Sequence, residues 1–254
     1  MSKTEIALQI YTLREFTKTP GDFAQTIEKI GRIGYKAIEL AGLWDQDNSL
    51  MKDTLQKNGV SAISAHVGMN NLKESLPATF ERMKTLGFRH AALAHVGPEY
   101  RTEDGIRQLV TELSEIGKKF ADQGYSLYYH NHKFEFQKFS GRTMLDILFE
   151  DVDKKYLNPQ LDLCWVHNGG MNPADAVKKY KNRFFTLHFK EYTIKDDQVT
   201  LCELGQGMFN WKEIIKAGRD AGARWFIVEQ DKCERDPFES VRMSIEYLNS
   251  LGVK

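Results

Sequence analysis

Residues that can bind a metal ion stand at the ends of several apolar, strand-like segments of this sequence. Four such segments end in His130-Asn-His132, Asp162, His188 and Glu229. In a parallel β/α barrel the carboxyl ends of all strands meet at one face, so these side chains would converge there. Imidazole and carboxylate groups together suit zinc, manganese or a similar divalent ion. The spacing therefore predicts a metal site at the mouth of a barrel.

Three of these residues also have an ordinary structural interpretation. Asp162 could cap the helix that follows it, His188 could be a hydrogen-bonded core residue, and Glu229 could pair with a nearby lysine or arginine. Packing alone does not readily explain all three at successive strand ends, whereas one divalent ion accounts for them together.

Strand and helix patterns alternate along the whole sequence. The strand-like segments are 6–10, 37–40, 61–66, 90–94, 126–130, 160–163, 184–188 and 225–229. The helical segments are 20–33, 47–58, 76–86, 102–123, 143–149, 173–180, 211–221 and 237–251. Several helices end in glycine just before the next strand, as at Gly34 and Gly87, and this repeat is typical of a parallel sheet.

Eight such repeats predict an α/β fold, a single (β/α)8 TIM barrel in one domain over residues 1–254. An open doubly wound sheet is the alternative. Its nucleotide-binding version is disfavoured because no Gly-x-Gly-x-x-Gly or P-loop follows the first strand.

Composition limits the partners of the protein. Thirty-five basic and thirty-five acidic residues give a formal charge of zero, which provides no long-range attraction to nucleic acid or to an anionic membrane. The chain has no apolar stretch that could span a bilayer, and its N-terminus lacks the apolar segment of a signal peptide. Three widely spaced cysteines fit reduced thiols. We expect a cytoplasmic protein, although a trimmed signal peptide would leave no trace, and a homo-oligomer is compatible with the sequence.

Histidines follow three of the strand-like segments. Strand alternation directs His130 and His132 to the same side, so that one could be a ligand and the other a substrate contact. His66 and His95 end strands three and four, where they would be substrate contacts or surface residues.

A metal site of this kind supports proton transfer next to a carbonyl group. The ion would hold the substrate oxygens and stabilise an enediolate, with Glu229 or Glu135 as the base. Lys190 could polarise a carbonyl or neutralise an enolate. Glu135 could instead hydrogen-bond a sugar hydroxyl, and in the structural alternative it is solvated and Lys190 is an exposed loop residue.

The sequence resembles the xylose-isomerase-like sugar isomerase/epimerase superfamily over nearly its whole length. That superfamily contains tagatose epimerases, inosose dehydratases and the endonuclease IV group. The most characteristic matches are Tyr129-His-Asn-His-Lys-Phe-Glu-Phe136, His188-Phe-Lys-Glu191 and Leu204-Gly-Gln-Gly-Met-Phe-Asn-Trp211. The resemblance implies a TIM barrel with one divalent metal ion (Mn, Zn, Mg or Co) and a small-molecule sugar substrate.

The resemblance also assigns metal ligands, which are normally Glu, Asp, His and Glu at the ends of strands five to eight. Asp162, His188 and Glu229 match this pattern, but His130 stands where the epimerases have glutamate. Either His130 or His132 could therefore be the ligand, the base or both.

Endonuclease IV needs a histidine three residues after the aspartate of strand six, where this sequence has Trp165. It also needs an Asp-x-His after strand seven, which is missing here. The resemblance therefore argues against DNA repair and leaves Trp165 as a candidate substrate contact.

From these observations we expect a divalent-metal-dependent sugar isomerase or epimerase that acts through a metal-bound enediolate on a small keto- or aldo-sugar. A lyase or hydratase of a keto-sugar or inosose is the alternative, favoured by the unusual His-Asn-His. A non-catalytic sugar-binding barrel is the alternative from another class.

Overall fold

Eight parallel strands form the central sheet in a computed structural model that describes residues 4–42 and 45–254. They are β1 (Glu5–Gln9), β2 (Ala37–Ala41), β3 (Ser61–Val67), β4 (His90–Leu93), β5 (Ser126–His130), β6 (Asn158–Gln160), β7 (Thr186–Phe189) and β8 (Trp225–Val228). The first three residues, which belong to the segment judged to lack a signal peptide, lie outside the described residues.

The strands follow one another around a nearly closed barrel. Their order is β6-β5-β4-β3-β2-β1-β8-β7, and β1 pairs with β8 in a register that sets Ile6 opposite Phe226. Between β6 and β7 the chain forms a parallel bridge from Asp162 to His188, whose N–H donates to the Leu161 carbonyl over 2.9 Å. The predicted α/β barrel is confirmed, and the open sheet is wrong.

Helices surround the strands. They are α1 (Pro20–Ile33), α2 (Asn48–Lys57), α3 (Met69–Glu74), α4 (Leu76–Leu86), α5 (Glu103–Asp122), α6 (Met144–Asp151), α7 (Leu163–Asn168), α8 (Pro173–Lys179), α9 (Trp211–Asp220) and α10 (Pro237–Ser250). Three short 3-10 helices cover Ile10–Phe16, Pro98–Tyr100 and Phe134–Phe136. No helix in the described part of the chain is long and apolar enough to cross a membrane.

Local sequence explains where these helices begin and end. At α1, Thr19 and Asp22 form a reciprocal capping box, and Pro20 occupies the first turn, where its missing N–H costs nothing. At the end of α4, Gly87 adopts a left-handed conformation with φ of 82°, which a glycine takes without steric cost. Caps of this kind are why most predicted helix limits agree with the structure within two residues.

The predicted strand 160–163 is wrong in its limits. β6 already ends at Gln160, and α7 begins at Leu163 with Asp162 as its N-cap. The apolar residues around Asp162 are typical of a buried strand, and this is why a strand was predicted there. These residues are indeed fully buried, but at the start of a short helix. The hairpin of Glu191–Lys195 and Gln198–Cys202, which follows β7, was also not predicted.

A small apolar cluster underlies the polar groups of the barrel. Its buried members are Ala7, Ala37, Ile63 and Ile227. Because side chains two residues apart on a strand share a face, Glu39 lies on the same side of β2 as Ala37, and Glu229 on the same side as Ile227. The strands thus carry apolar residues at one level and acidic residues two positions nearer their carboxyl ends.

Candidate active site

Glu39, in the middle of β2, is a fully buried carboxylate surrounded by hydrogen-bond donors. Its partners are Gln9 Nε2 at 2.8 Å, His188 Nε2 at 2.7 Å, His66 Nε2 at 3.0 Å, Gln160 Nε2 at 2.7 Å and the Ser64 hydroxyl. Burial by itself raises the pKa of Glu39, but His66 and His188 outweigh burial and hold that pKa well below its ordinary value. Glu39 is therefore an anion that fixes two imidazole rings.

His188, on β7, lies between two carboxylates. Its Nε2 is 2.7 Å from Glu39 Oε1 and its Nδ1 is 2.8 Å from Glu229 Oε2. Burial lowers the pKa of His188, but the two carboxylates outweigh that effect and raise the pKa to about 10. In this arrangement His188 is an imidazolium that donates from both nitrogens.

Lys190 is fully buried rather than exposed on a loop. Its Nζ lies 2.8 Å from Asp162 Oδ2, 3.0 Å from Glu229 Oε2, and 3.0 and 3.1 Å from the two oxygens of Asp231. Burial lowers the pKa of Lys190, but the three carboxylates outweigh it and raise the pKa well above its ordinary value. Lys190 is thus an ammonium ion enclosed by acidic groups.

The two carboxylate oxygens of Asp162 have different partners, and one of them makes the helix cap that the sequence offered as its structural alternative. Oδ1 accepts the Trp165 backbone N–H over 3.0 Å and caps α7, whereas Oδ2 faces Lys190 and lies 3.9 Å from His130 Nε2. The Asn131 side chain accepts the Asp162 backbone N–H over 3.1 Å, which ties the end of β5 to the end of β6. Burial raises the pKa of Asp162, and Lys190 opposes that rise.

His130 and His132 carry the imidazoles that end β5. The Nδ1 atoms of both rings are buried and have no hydrogen-bond partner among residues 4–42 and 45–254. The ring of His130 lies 4.5 Å from that of His188 and 4.7 Å from that of His66. Burial, followed by the charge on His188, lowers the pKa of His130 well below its ordinary value, and burial followed by Lys190 lowers that of His132 to about 4.

Glu135 requires a correction. It is fully buried and accepts the Tyr129 hydroxyl over 2.9 Å and the His132 backbone N–H over 2.8 Å, and it is not part of the cavity wall. Burial raises its pKa to about 7. Because Glu135 has these internal partners, its position fits a residue that holds the turn after β5, and not a base or a sugar contact.

Trp165, expected from the sequence as a substrate contact, is not among the residues that line the cavity. Its ring centroid lies 5.4 Å from the Lys190 ammonium and 6.2 Å from the ring of His132. Trp165 thus packs behind two residues that do reach the cavity.

A cavity of about 700 Å³ opens above these residues. Its polar lining consists of Tyr11, Arg14, His66, Asn71, His95, His130, His132, Lys190, Glu229 and Asp231. Arg14 is held by the backbone carbonyls of Tyr11 at 3.0 Å and Asp231 at 2.9 Å. Of the missed residues, Glu39 is an acidic residue within an apolar strand and could have been found by that signal. Arg14 lies in the 3-10 helix after β1 and Asp231 in the loop after β8, where no such signal exists.

His130, Asp162, His188 and Glu229 form a group that could hold a metal ion, since one candidate ligand atom from each lies within 4.8 Å of the others. Within the described residues the buried Nδ1 of His130 has no hydrogen-bond partner, and Asp162 Oδ2 faces the Lys190 ammonium at 2.8 Å. Imidazole and carboxylate donors suit a divalent ion. Glu39 would retain one nitrogen of His188, as the carboxylate partners of metal-bound histidines commonly do. The residues present therefore fit such an ion.

The chain belongs to the xylose isomerase-like TIM barrel family, because the profile of that family matches residues 27–251. An inosose dehydratase from Geobacillus thermodenitrificans (strain NG80-2) is 21% identical over 265 residues, which cover 89% of this chain and 88% of that protein. The family contains enzymes, and the resemblance inferred from sequence is confirmed.

Two solved structures illustrate the shared fold. A sugar phosphate isomerase/epimerase from Parabacteroides distasonis ATCC 8503 has a TM-score of 0.83 at 23% identity, with 99% of this chain and 100% of that chain covered. A probable 3-DHS dehydratase from Bacillus anthracis has a TM-score of 0.77 at 14% identity, with 97% and 99% covered. Both isomerases and dehydratases are thus named among the similar proteins.

Proposed function

We propose that this protein is a lyase that eliminates water from a small polyhydroxylated ketone. A proton leaves the carbon next to the carbonyl group, a carbon–carbon double bond forms, and the hydroxyl on the following carbon departs as water. The similarity to an inosose dehydratase supports this reaction class.

One observation carries the choice of lyase over a two-carboxylate epimerase. On the cavity wall, Glu229 Oε2 already contacts His188 Nδ1 at 2.8 Å and Lys190 Nζ at 3.0 Å, whereas the His132 imidazole, which also lines the cavity, makes no hydrogen bond within the described residues. A carboxylate held by two cationic donors is a weak base, because proton uptake would break both interactions. Glu229, expected above as a base, is better suited to the ligand role.

His132 then serves as the base in this proposal. A neutral imidazole can accept the proton from carbon and, as an imidazolium, can donate that proton to the departing hydroxyl. One residue would perform both transfers on the same face of the substrate. Glu135 would keep His132 in position through the hydrogen bond to its backbone N–H.

The remaining groups would stabilise the enolate. Lys190, which lines the cavity as an ammonium ion, would donate to the oxygen on which negative charge develops. A divalent ion held by His130, Asp162, His188 and Glu229 would supply Lewis-acid polarisation of the carbonyl group when bound. His66 and His95, which also line the cavity, would contact substrate hydroxyls.

A sugar isomerase or epimerase that acts through an enediolate is the second candidate. The observation that supports this second candidate is that Glu229 and His132 both line the cavity, so that a proton removed by one could be returned by the other. A two-base reaction of this kind would retain every substrate oxygen.

The test is to incubate the protein with Mn²⁺, inososes and keto-sugars in deuterated water and to follow products by NMR. We expect an unsaturated ketone, and we expect His132→Gln to abolish its formation while Mn²⁺ binding persists. His90→Gln is the matched control, since His90 begins β4 and is not part of the cavity wall. Deuterium incorporation with a new sugar but no loss of water would support the isomerase. Binding without any exchange would support a non-catalytic sugar-binding barrel.

A further inference from the structure

We propose that Lys190 is a built-in counter-ion that competes with the divalent ion for Asp162 and Glu229 and thereby weakens metal binding to this site. The inference rests on the metal site within the proposed function. It concerns the affinity of that site rather than the reaction.

The position of the ammonium group is the first reason. Nζ lies 2.8 Å from Asp162 Oδ2 and 3.0 Å from Glu229 Oε2, and both residues belong to the four candidate ligands. A metal–oxygen distance of about 2.1 Å would place an ion bound to Asp162 Oδ2 within about 5 Å of Nζ. At that separation the ammonium must either move away from the carboxylates or stay and repel the ion. Both outcomes weaken metal binding.

Burial makes this competition effective. The side chain of Lys190 is 1% exposed and that of Asp162 is fully buried, so that water screens their interaction only weakly. Removal of a positive charge from such a place would leave acidic groups uncompensated, and a divalent ion would restore the balance. Lys190 thus stabilises the metal-free protein at the expense of the metal-bound form.

Asp231 provides the place to which the ammonium can withdraw. Both of its oxygens lie within 3.1 Å of Nζ, and Asp231 is outside the group of four candidate ligands. Its side chain is 32% exposed and lines the cavity. When Lys190 leaves Asp162 and Glu229 for Asp231, its charge stays on the cavity wall, where a substrate oxygen can reach it.

The experiment measures Mn²⁺ affinity by isothermal titration of chelator-treated protein at fixed pH and salt. We expect Lys190→Met to bind Mn²⁺ at least ten-fold more tightly than the unmodified protein. Its metal-free form should melt at a lower temperature, and Mn²⁺ should raise that temperature more than it does for the unmodified protein. Lys195→Met is the matched control, because Lys195 pairs with Glu234 at the surface and should leave Mn²⁺ affinity unchanged.

A second variant keeps the test decisive if Lys190→Met does not fold. Lys190→Gln removes the charge but keeps a donor for the carboxylates, and it should also tighten Mn²⁺ binding. Asp231→Asn should weaken Mn²⁺ binding more in the protein that has Lys190 than in the Lys190→Gln variant. Only the charged lysine needs the Asp231 carboxylate as a partner once the ion has taken Asp162 and Glu229.

Several results would overturn the inference. Equal or weaker Mn²⁺ binding by both neutral variants would show that the ammonium does not compete, and so would equal effects of Asp231→Asn in the two backgrounds. Absence of Mn²⁺ binding in every protein would remove the competition altogether. Elimination of water observed in that case, without metal, would leave the proposed reaction standing and would separate the two hypotheses.

Discussion

Replacement of Glu39 by glutamine tests whether the buried carboxylate beneath the cavity holds the site together. Its Oε1 accepts hydrogen bonds from Gln9 and His188, and its Oε2 accepts them from Gln160 and Ser64. Whichever way the new amide is oriented, its NH₂ group faces at least two donors that previously had a charged acceptor, and three on the Oε1 side, where His66 Nε2 also lies 3.0 Å away.

The magnitude follows from those contacts. Loss of two hydrogen bonds to a charged acceptor, at about 1.5–3 kcal/mol each, would amount to about 3–6 kcal/mol before relaxation. Removal of one partner from a buried ionic network typically costs about 3–5 kcal/mol. We therefore expect Glu39→Gln to lower the free energy of unfolding by about 3–5 kcal/mol and to weaken Mn²⁺ binding about 10–100-fold, because His188 loses its carboxylate partner.

Urea unfolding in the presence of a chelator would measure the first effect, and titration with Mn²⁺ the second. Glu234→Gln is the matched control, because Glu234 pairs with Lys195 on the surface and its side chain is 54% exposed. Loss of such an exposed pair should change stability by less than about 1 kcal/mol. If Glu39→Gln were no more harmful than this control, the network around Glu39 would not be what positions His188.

Three further predictions concern regions around the site. Burial lowers the pKa of His90 from 6.5 to about 4, so the folded protein binds fewer protons than the unfolded chain between these values and loses stability as the pH falls below 6.5. Between pH 7.5 and pH 5 we expect the free energy of unfolding, measured with urea, to fall by about 2 kcal/mol more in the unmodified protein than in His90→Gln. The same pH dependence of stability in both proteins would contradict this. Glu191 accepts the Trp211 indole N–H over 2.7 Å and the Phe209 backbone N–H over 2.9 Å. Glu191→Gln should cost about 1.5–3 kcal/mol and speed amide hydrogen exchange at Phe209, and unchanged exchange would show that the loop is held by other contacts. Asn131→Ala leaves the buried N–H of Asp162 without its partner and should cost about 1–3 kcal/mol in urea unfolding, whereas a neutral result would mean that β5 and β6 do not depend on this link.

Much of the fold could be predicted from the sequence because its signals are local. Helix α1 was placed correctly from its helical pattern and from the glycine that follows it, and β5 from its apolar residues. β6 was misplaced because a buried strand and the buried first turn of a helix share the same apolar composition. The pattern of apolar residues over so short a segment cannot distinguish a buried strand from the first turn of a buried helix.

The candidate site could be predicted only in part. Asp162, His188 and Glu229 were found because each follows an apolar strand and would therefore reach the same barrel face. Lys190 was predicted to polarise a carbonyl or neutralise an enolate, with an exposed loop lysine as the alternative, and nothing in the sequence around it indicated that it is buried. Its burial results from contact with Asp231, 41 residues away, together with Asp162 and Glu229.

By itself, the sequence determined the repeated strand–helix units and the chemical types of the groups that reach the mouth of the barrel, because hydrophobic period, caps and residue identity act over a few residues. Only the tertiary structure decided which of these groups face one another. His188 meets Glu39 across 149 residues of sequence, and Glu135 turns inward to Tyr129 instead of outward to the cavity. These outcomes depend on strand register and barrel closure, which set distances and charges that no short stretch of residues contains.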